Sequence, residues 1–159
     1  MKIIDEIKTD LVKNENSGLL CKCIFITYRI GKNTKYKSIR KFVSVFHNFF
    51  SMLSNCSIPY ACDIGNEVLF KHGFYGIYLS SSTVIGDNCT ILHNVTIGSK
   101  YLDKNSSPTI GRSVTIGTGA VIVGDIEIGC YSKISPNSFV MESIDSHTTV
   151  ISKCIKVRK

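Results

Sequence analysis

Large aliphatic residues recur at every sixth position through most of the C-terminal two-thirds of the chain. The ten regular positions are Leu79, Ile85, Ile91, Ile97, Ile110, Ile116, Ile122, Ile128, Ile134 and Val140. An earlier set, Ile58, Ile64 and Phe70, keeps the same register. A period of six is neither the helical period nor the alternation of a half-buried strand, so it indicates a structural repeat.

A second series of small or apolar residues stands four positions after each aliphatic one. It contains Cys89, Val95, Val114, Ala120, Ile126, Ser132 and Ser138, and Thr83 is the exception that we expect to break it. Six residues with two inward side chains make one flat strand and one corner, and three such units close a triangular coil. The pattern therefore predicts a mostly β protein, a parallel β-helix of hexapeptide repeats.

Two longer spacings interrupt the repeat. From Phe70 to Leu79 the spacing is nine residues, so three residues around 73–76 are expected to bulge outward, next to His72. From Ile97 to Ile110 the spacing is thirteen, so about seven residues within 99–109 are expected to leave the coil as a polar loop.

The first third of the chain has a helical pattern instead, carried by apolar residues from Ile3 to Leu11 and from Ile39 to Leu53. It predicts two or three short helices that cover the first open edge of the β-helix. We therefore divide the chain into an N-terminal helical segment (1–57), a β-helix domain (58–150) and a basic C-terminal tail (151–159).

Length and composition fit one folded domain. The chain has 159 residues, of which 43% are hydrophobic and 19% charged, and it has no apolar stretch long enough for a transmembrane helix. The acidic start argues against a secretory signal and favours a cytoplasmic protein. Seven cysteines with no CxxC pair argue for reduced thiols and against a structural metal.

Positive charge is concentrated at the two ends of the chain, within a net charge of +7. No carboxylate lies between Asn16 and Cys62, and six of the seven cations in this stretch accompany an aromatic helix: Arg29, Lys32, Lys35, Lys37, Arg40 and Lys41. The segment is either an ordinary solvated helix face or an anion-binding surface. We predict reversible, salt-sensitive contact of residues 29–50 with an anionic membrane, and we do not expect nucleic acid as a partner.

Five sequence motifs resemble the hexapeptide-repeat acyltransferases with a left-handed β-helix, in particular their serine acetyltransferase branch. These are residues 71–73, 91–98, 107–111, 116–126 and 145–149. Within that family the chain is more similar to short members found with exopolysaccharide, capsule or O-antigen genes. The resemblance implies a left-handed β-helix that transfers an acetyl group from acetyl-CoA to a hydroxyl.

The resemblance also assigns roles to residues. His72 matches the catalytic histidine of the family, which acts as general base. Small residues that line the CoA groove match Ser99, Gly117, Thr118 and Pro136. Lys153, Lys156 and Arg158 match the basic ending of the family, which suits the CoA 3′-phosphate.

His93 is a second candidate, on geometric grounds. His72 and His93 each lie two residues after an inward residue, Phe70 and Ile91, which occupy the same face one coil apart. The two histidines are therefore predicted to stack, with Thr118 and Pro136 at the same corner of the next coils. One edge of a prism offers only half of a groove, so the site predicts a homotrimer with sites between neighbours.

Departures from the serine acetyltransferase pattern bear on the acceptor. Ser57 and Lys71 stand where those enzymes have aspartates, and the loop ends Asn105-Ser106-Ser107-Pro108 where they have Asp-Arg-His-Pro. These differences favour a sugar hydroxyl in polysaccharide biosynthesis as acceptor. A serine O-acetyltransferase of cysteine synthesis and a non-catalytic β-helix scaffold remain the alternatives.

Overall fold

The computed structural model of the protein describes residues 2–101 and 106–152. Three helices come first: α1 (Lys2–Lys13), α2 (Leu19–Asn33) and α3 (Lys37–Leu53). Short strands follow, in chain order β1 (Asp63–Ile64), β2 (Leu69–Phe74), β3 (Tyr78–Leu79), β4 (Val84–Ile85), β5 (Thr90–Ile91), β6 (Thr96–Gly98), β7 (Thr109–Ile110), β8 (Thr115–Ile116), β9 (Val121–Val123), β10 (Glu127–Ile128), β11 (Lys133–Ile134), β12 (Phe139–Val140) and β13 (Thr149–Val150).

The strands form three parallel sheets, which are the three faces of a β-solenoid of about four turns. Sheet 1 has the order β1-β4-β7-β10, sheet 2 the order β13-β11-β8-β5-β2, and sheet 3 the order β12-β9-β6-β3. From β1 to β12, successive strands along the chain thus belong to successive faces, as the hexapeptide period predicts. The predicted parallel β-helix with an N-terminal helical segment is confirmed.

The pairing register matches the spacing of the repeats. In regular coils a residue pairs with the one eighteen positions later, as Thr115 does with Lys133. Across the first insertion the offset is 21, from Leu69 to Thr90, and across the second it is 25, from Thr96 to Val121. The insertions therefore contain three and seven residues, and the second connection ends before β7 begins at Thr109.

The core is built from the two inward series. All ten regular aliphatic positions are buried, and the second series is buried with them. Thr83 is buried in that series as well, so our expectation that it breaks the pattern was wrong. Its hydroxyl donates to the Ile97 carbonyl at 3.3 Å, and this bond compensates for burying a polar side chain.

Helices α1 and α2 cover the open end of the solenoid, where the first strands have no preceding coil. The Asn14 side chain accepts a hydrogen bond from the Phe70 amide and donates to the Val68 carbonyl. Ser17 donates to the Phe70 carbonyl at 2.7 Å. These bonds give partners to backbone amide and carbonyl groups at the free edge of β2, which no preceding coil covers.

Arg29 and Lys32 are structural, contrary to their predicted place in a membrane-facing cation patch. Arg29 is buried, and its Nε donates to the Asp10 carboxylate at 2.7 Å while NH1 and NH2 reach the carbonyls of Ile64 and Gly65. Lys32 pairs with Asp63. The apolar face of α2 brings both residues against the first coil, a contact that the helical period alone does not reveal.

The first insertion folds inward rather than outward. Phe74 is buried and makes edge contacts with Phe25 of α2, with ring centroids 5.0 Å apart. Only Tyr75 of this segment projects into solvent as a large side chain. The expected outward bulge is therefore wrong, because helix α2 supplies an apolar surface for the inserted aromatic ring.

Helix α3 packs on α2 along one narrow face, where His47 and Ser51 are buried. His47 Nε2 lies 2.9 Å from the Ile58 carbonyl, and Nδ1 lies 2.9 Å from the Thr27 hydroxyl. Within residues 2–101 and 106–152, no helix has the length and apolar character needed to cross a membrane.

Candidate active site

One edge of the solenoid carries both candidate histidines. We call it the histidine edge; it consists of the turns that connect sheet 2 to sheet 3, residues 71–77, 92–95, 117–120 and 135–138. Phe70, Ile91, Ile116 and Ile134 are in register along sheet 2, so the residues two positions later stack along the edge. Those residues are His72, His93, Thr118 and Pro136.

The imidazole rings of His72 and His93 are in contact. Their centroids are 5.1 Å apart and the ring planes meet at 79°, an edge-to-face arrangement. His72 is exposed, whereas His93 is partly buried. The predicted stacking of the two residues is thus present, and the outer ring is the one that a substrate in solvent reaches first.

His93 has an unsatisfied ring nitrogen. Its Nδ1 is buried and has no hydrogen-bond partner among the described residues. A buried polar atom without a partner costs roughly 1–3 kcal/mol, so a ligand that offers a hydroxyl or carbonyl to this nitrogen would gain from the contact. The backbone carbonyl of His93 is held by the Gly119 amide at 3.2 Å, which fixes the residue to the next coil.

Below the histidines the same corner carries Thr118 and Pro136, and Gly117 precedes Thr118. A Cβ atom on Gly117 would lie 2.5 Å from the Pro136 nitrogen and 2.8 Å from its Cδ. The position therefore excludes any side chain, because successive coils stack closely there.

The remaining candidate residues do not all lie on this edge. Ser99 follows β6 and lies on the next edge, between sheets 3 and 1. Lys153, Lys156 and Arg158 lie outside the described residues. The described part ends at Ser152, whose hydroxyl donates to the Pro136 carbonyl at 3.3 Å. Ser152 therefore lies at the histidine edge.

Charge on the histidine edge has one sign. In the four turns that define it, Lys71 is the only charged side chain, and no carboxylate is present. His72 therefore has no carboxylate partner on its own edge. Among residues 2–101 and 106–152, no group of three or more His, Cys, Asp or Glu side chains is arranged to hold a metal ion.

The spacing of the repeat predicts the inserted segment beside His72, but it does not predict the residue that holds this segment. The backbone N–H of Asn94 donates to the Tyr75 carbonyl at 2.9 Å, and the Asn94 side chain lies against Gly76. Gly73 and Gly76 both have positive φ, of 74° and 67°. Two glycines three apart in an insertion were the available signal for a tightly turned segment.

Comparison with known proteins places the chain among bacterial acetyltransferase homologues. The serine acetyltransferase of Staphylococcus epidermidis is 34% identical over 127 residues, which cover 79% of this chain and 57% of that enzyme. A protein of Escherichia coli K12 named as the colanic acid biosynthesis acetyltransferase WcaB is 27% identical over 161 residues, covering 94% of this chain and 96% of its own length. No model of a protein family matches the chain.

The solved structures agree with the sequence relatives. A serine acetyltransferase in complex with CoA superposes with a TM-score of 0.77 at 27% identity, covering 93% of this chain and 66% of that chain. The chain thus spans a little over half the length of the Staphylococcus enzyme that it matches. The predicted resemblance is confirmed: the chain is similar to the hexapeptide-repeat acyltransferases and in particular to the serine acetyltransferases.

Proposed function

We propose that the protein is an O-acetyltransferase that moves an acetyl group from acetyl-CoA to a hydroxyl of a sugar in polysaccharide biosynthesis. The observation that carries the proposal is the contact of His72 with His93, with Thr118 and Pro136 at the same corner of the next coils. It places an exposed imidazole beside a second, partly buried one on the same edge. Both named relatives are acetyltransferases, which supports the same reaction class.

In the proposed reaction His72 is the general base. Its imidazole takes the proton of the acceptor hydroxyl while the oxygen attacks the thioester carbonyl carbon. The tetrahedral intermediate then collapses, the carbon–sulfur bond breaks, and the proton passes from the imidazolium to the departing sulfur. The products are the acetyl ester and CoA, and His72 returns to its neutral form without a covalent enzyme intermediate.

His93 has a positioning role in this proposal. Its buried Nδ1 lacks a partner, and its ring contacts the edge of the His72 ring. Depending on which ring nitrogen carries the proton, it can hold either the acceptor or the acetyl carbonyl. Thr118, Gly117 and Pro136 line the path of the pantetheine arm, and the basic residues of the tail meet the phosphates of CoA.

The sugar acceptor is supported by two observations. The relative that aligns along nearly its whole length is named for colanic acid biosynthesis. Lys71, next to His72, is positively charged and lacks any carboxylate neighbour on the edge. Such a site repels an ammonium group and tolerates a neutral or acidic sugar.

Serine is the second candidate acceptor, because the Staphylococcus relative and the structural neighbour with CoA are both serine acetyltransferases. In that reaction the same base would act on the side-chain hydroxyl of L-serine. The positive Lys71 beside the base opposes it, since the amino group of serine is itself a cation.

We further propose a homotrimer. Within one subunit Ser99 lies on a different edge from the two histidines. A neighbouring copy of the chain would bring its Ser99 edge and this histidine edge together around CoA. The outward positions of sheet 3 include exposed Tyr78 and Phe139, an apolar surface for such a contact. A Phe139→Glu change should dissociate the trimer in light scattering and lower activity; a fully active monomer would contradict the proposal.

Acetylation of the cell's polysaccharide tests the proposed function. The gene is deleted, and O-acetyl signals of the purified polysaccharide are compared by NMR with those of the wild type and of a strain that carries His72→Ala. We expect loss of acetyl signal in both mutants. Unchanged polysaccharide together with a requirement for cysteine would instead assign the protein to serine acetylation.

A further inference from the structure

Helix α3 exposes an apolar face along its whole length. The face consists of Ile39, Phe42, Val45, Phe46, Phe49, Met52 and Leu53, each between 45% and 69% exposed. At 1.5 Å per residue it extends about 21 Å. The opposite side of the helix, with His47 and Ser51, packs against the protein, so α3 is fixed in place with its apolar face outward.

Exposed apolar surface of this size on a charged protein marks an interaction site. Scattered single residues need no explanation, but seven on one side of a helix of 17 residues do. Phe42 and Phe46 contact each other edge to face at 5.2 Å without burying either ring. The apolar residues at helical spacing in α3 therefore form a surface for a partner and are not part of the core.

The charges beside the apolar face have one sign. Exposed Lys37 and Lys41 follow its border at helical spacing, and exposed Lys35 precedes the helix. No Asp or Glu occurs between Asn16 and Cys62. Arg29 and Lys32 form ion pairs with carboxylates outside this region, and both residues face the solenoid. The surface around α3 is thus apolar with a cationic border.

We propose that α3 is an interfacial helix that binds an anionic lipid bilayer. Its apolar face enters the boundary of headgroups and acyl chains, and Lys35, Lys37 and Lys41 contact the headgroups, as expected of amphipathic helices with a basic polar side. A second copy of this chain fits the same face less well, because it would bring two sets of lysines together with no carboxylate to neutralise them. The membrane contact is independent of the acetyl transfer proposed above.

Sedimentation with vesicles tests the inference on the full chain. The probes are phosphatidylcholine vesicles with and without phosphatidylglycerol, at low and high salt. We expect binding to the anionic vesicles at low salt, weaker binding at high salt, and little binding to neutral vesicles. No binding to anionic vesicles at low salt, or binding that salt leaves unchanged, would overturn the proposal.

Two variants assign the binding to α3. Phe42→Ser with Phe49→Ser should weaken binding at least ~10-fold, and Lys37→Glu with Lys41→Glu should weaken it more than ~100-fold. Matched controls are Val12→Ser with Leu19→Ser, at apolar positions that are at least as exposed and lie elsewhere, and Lys8→Glu with Lys133→Glu. Equal loss in the controls, or none in the α3 variants, would overturn the assignment.

Folding and oligomeric state complete the test. Circular dichroism identifies any variant that fails to fold, and Val45→Ser with Met52→Ser then replaces it on the same face. Light scattering measures the mass of each variant without lipid. If the α3 variants change the oligomeric state, the face is an interface between copies and the membrane proposal is wrong.

Discussion

The His72 and His93 rings meet edge to face with centroids 5.1 Å apart, although 21 residues separate them in sequence. A regular coil would separate stacked residues by eighteen positions, and the three inserted residues after His72 account for the difference. The first turn of the histidine edge is therefore three residues longer than a regular turn. His72 lies directly before the inserted residues, whereas His93 lies in a turn of regular length.

Substitution of the two histidines should separate chemistry from positioning. His72→Ala should lower kcat by ~10²–10⁴-fold and leave CoA binding nearly unchanged, because a general base acts in the chemical step. His93→Ala should cost less and raise the KM for the acceptor. Steady-state kinetics and CoA titration measure both effects; loss of activity with His93→Ala alone would mean that the base is His93.

Gly117 should tolerate no side chain. In Gly117→Ala the new methyl group would meet the backbone of Ile134 and Pro136 at 2.5–2.9 Å, so we expect a loss of ~1–3 kcal/mol in unfolding free energy. Gly98→Ala is the matched control, since the nearest atom to its Cβ lies 3.9 Å away. Urea denaturation of both variants measures the difference; equal stability would contradict the close stacking of coils at this edge.

The buried Arg29–Asp10 pair should be essential for stability. Arg29→Met leaves the fully buried Asp10 carboxylate without its main partner and frees the carbonyls of Ile64 and Gly65. Removal of one partner of a buried ion pair typically costs ~3–5 kcal/mol. Thermal or urea unfolding measures the loss, with the exposed Lys35→Met as control; a loss no larger than in the control would show that the pair is not structural.

Acid should destabilise the protein through His47. Burial lowers the pKa of His47 from its ordinary value of 6.5, against a smaller opposing effect of the Ile58 carbonyl. The unfolded chain therefore binds a proton at this residue more readily than the folded chain, and stability falls as the pH decreases through about 6.5 towards the lower folded pKa.

Urea denaturation between about pH 7.5 and about pH 5 measures this dependence. His47→Gln keeps a side-chain donor for the Ile58 carbonyl and should reduce the slope of stability against pH. Asn48→Ala, an exposed neighbour on α3, is the control and should keep the wild-type slope. An unchanged slope in His47→Gln would assign the acid sensitivity to other groups.

Periodic features of the fold could be predicted from the sequence, because each coil repeats the same local rule. Counting residues between aliphatic positions predicts that Phe70 and Ile91 share a face one coil apart, and the two residues pair in sheet 2. The stacking of His72 on His93 follows from the same count. Residues at equal positions in successive coils must be neighbours, whatever their chemistry.

Contacts between the helices and the solenoid could not be predicted in this way. Asn14 and Arg29 satisfy backbone groups more than thirty residues away, and no period links such positions. The burial of Phe74 likewise depends on Phe25, a residue of another element. On α3 the apolar spacing predicts the helix but not the exposure of its apolar face, since this spacing does not distinguish a core from an exposed surface.

Transfer of labelled acetyl groups from acetyl-CoA by the purified protein tests the central claim most directly. Sugar acceptors, both nucleotide sugars and polysaccharide fragments, are compared with L-serine, and CoA is measured by chromatography because the seven cysteines would react with a thiol reagent. We predict labelled O-acetyl sugar with the wild type, a rate ~10²–10⁴-fold lower with His72→Ala, and little transfer to serine. Transfer to serine alone, or equal rates with His72→Ala, would contradict the account.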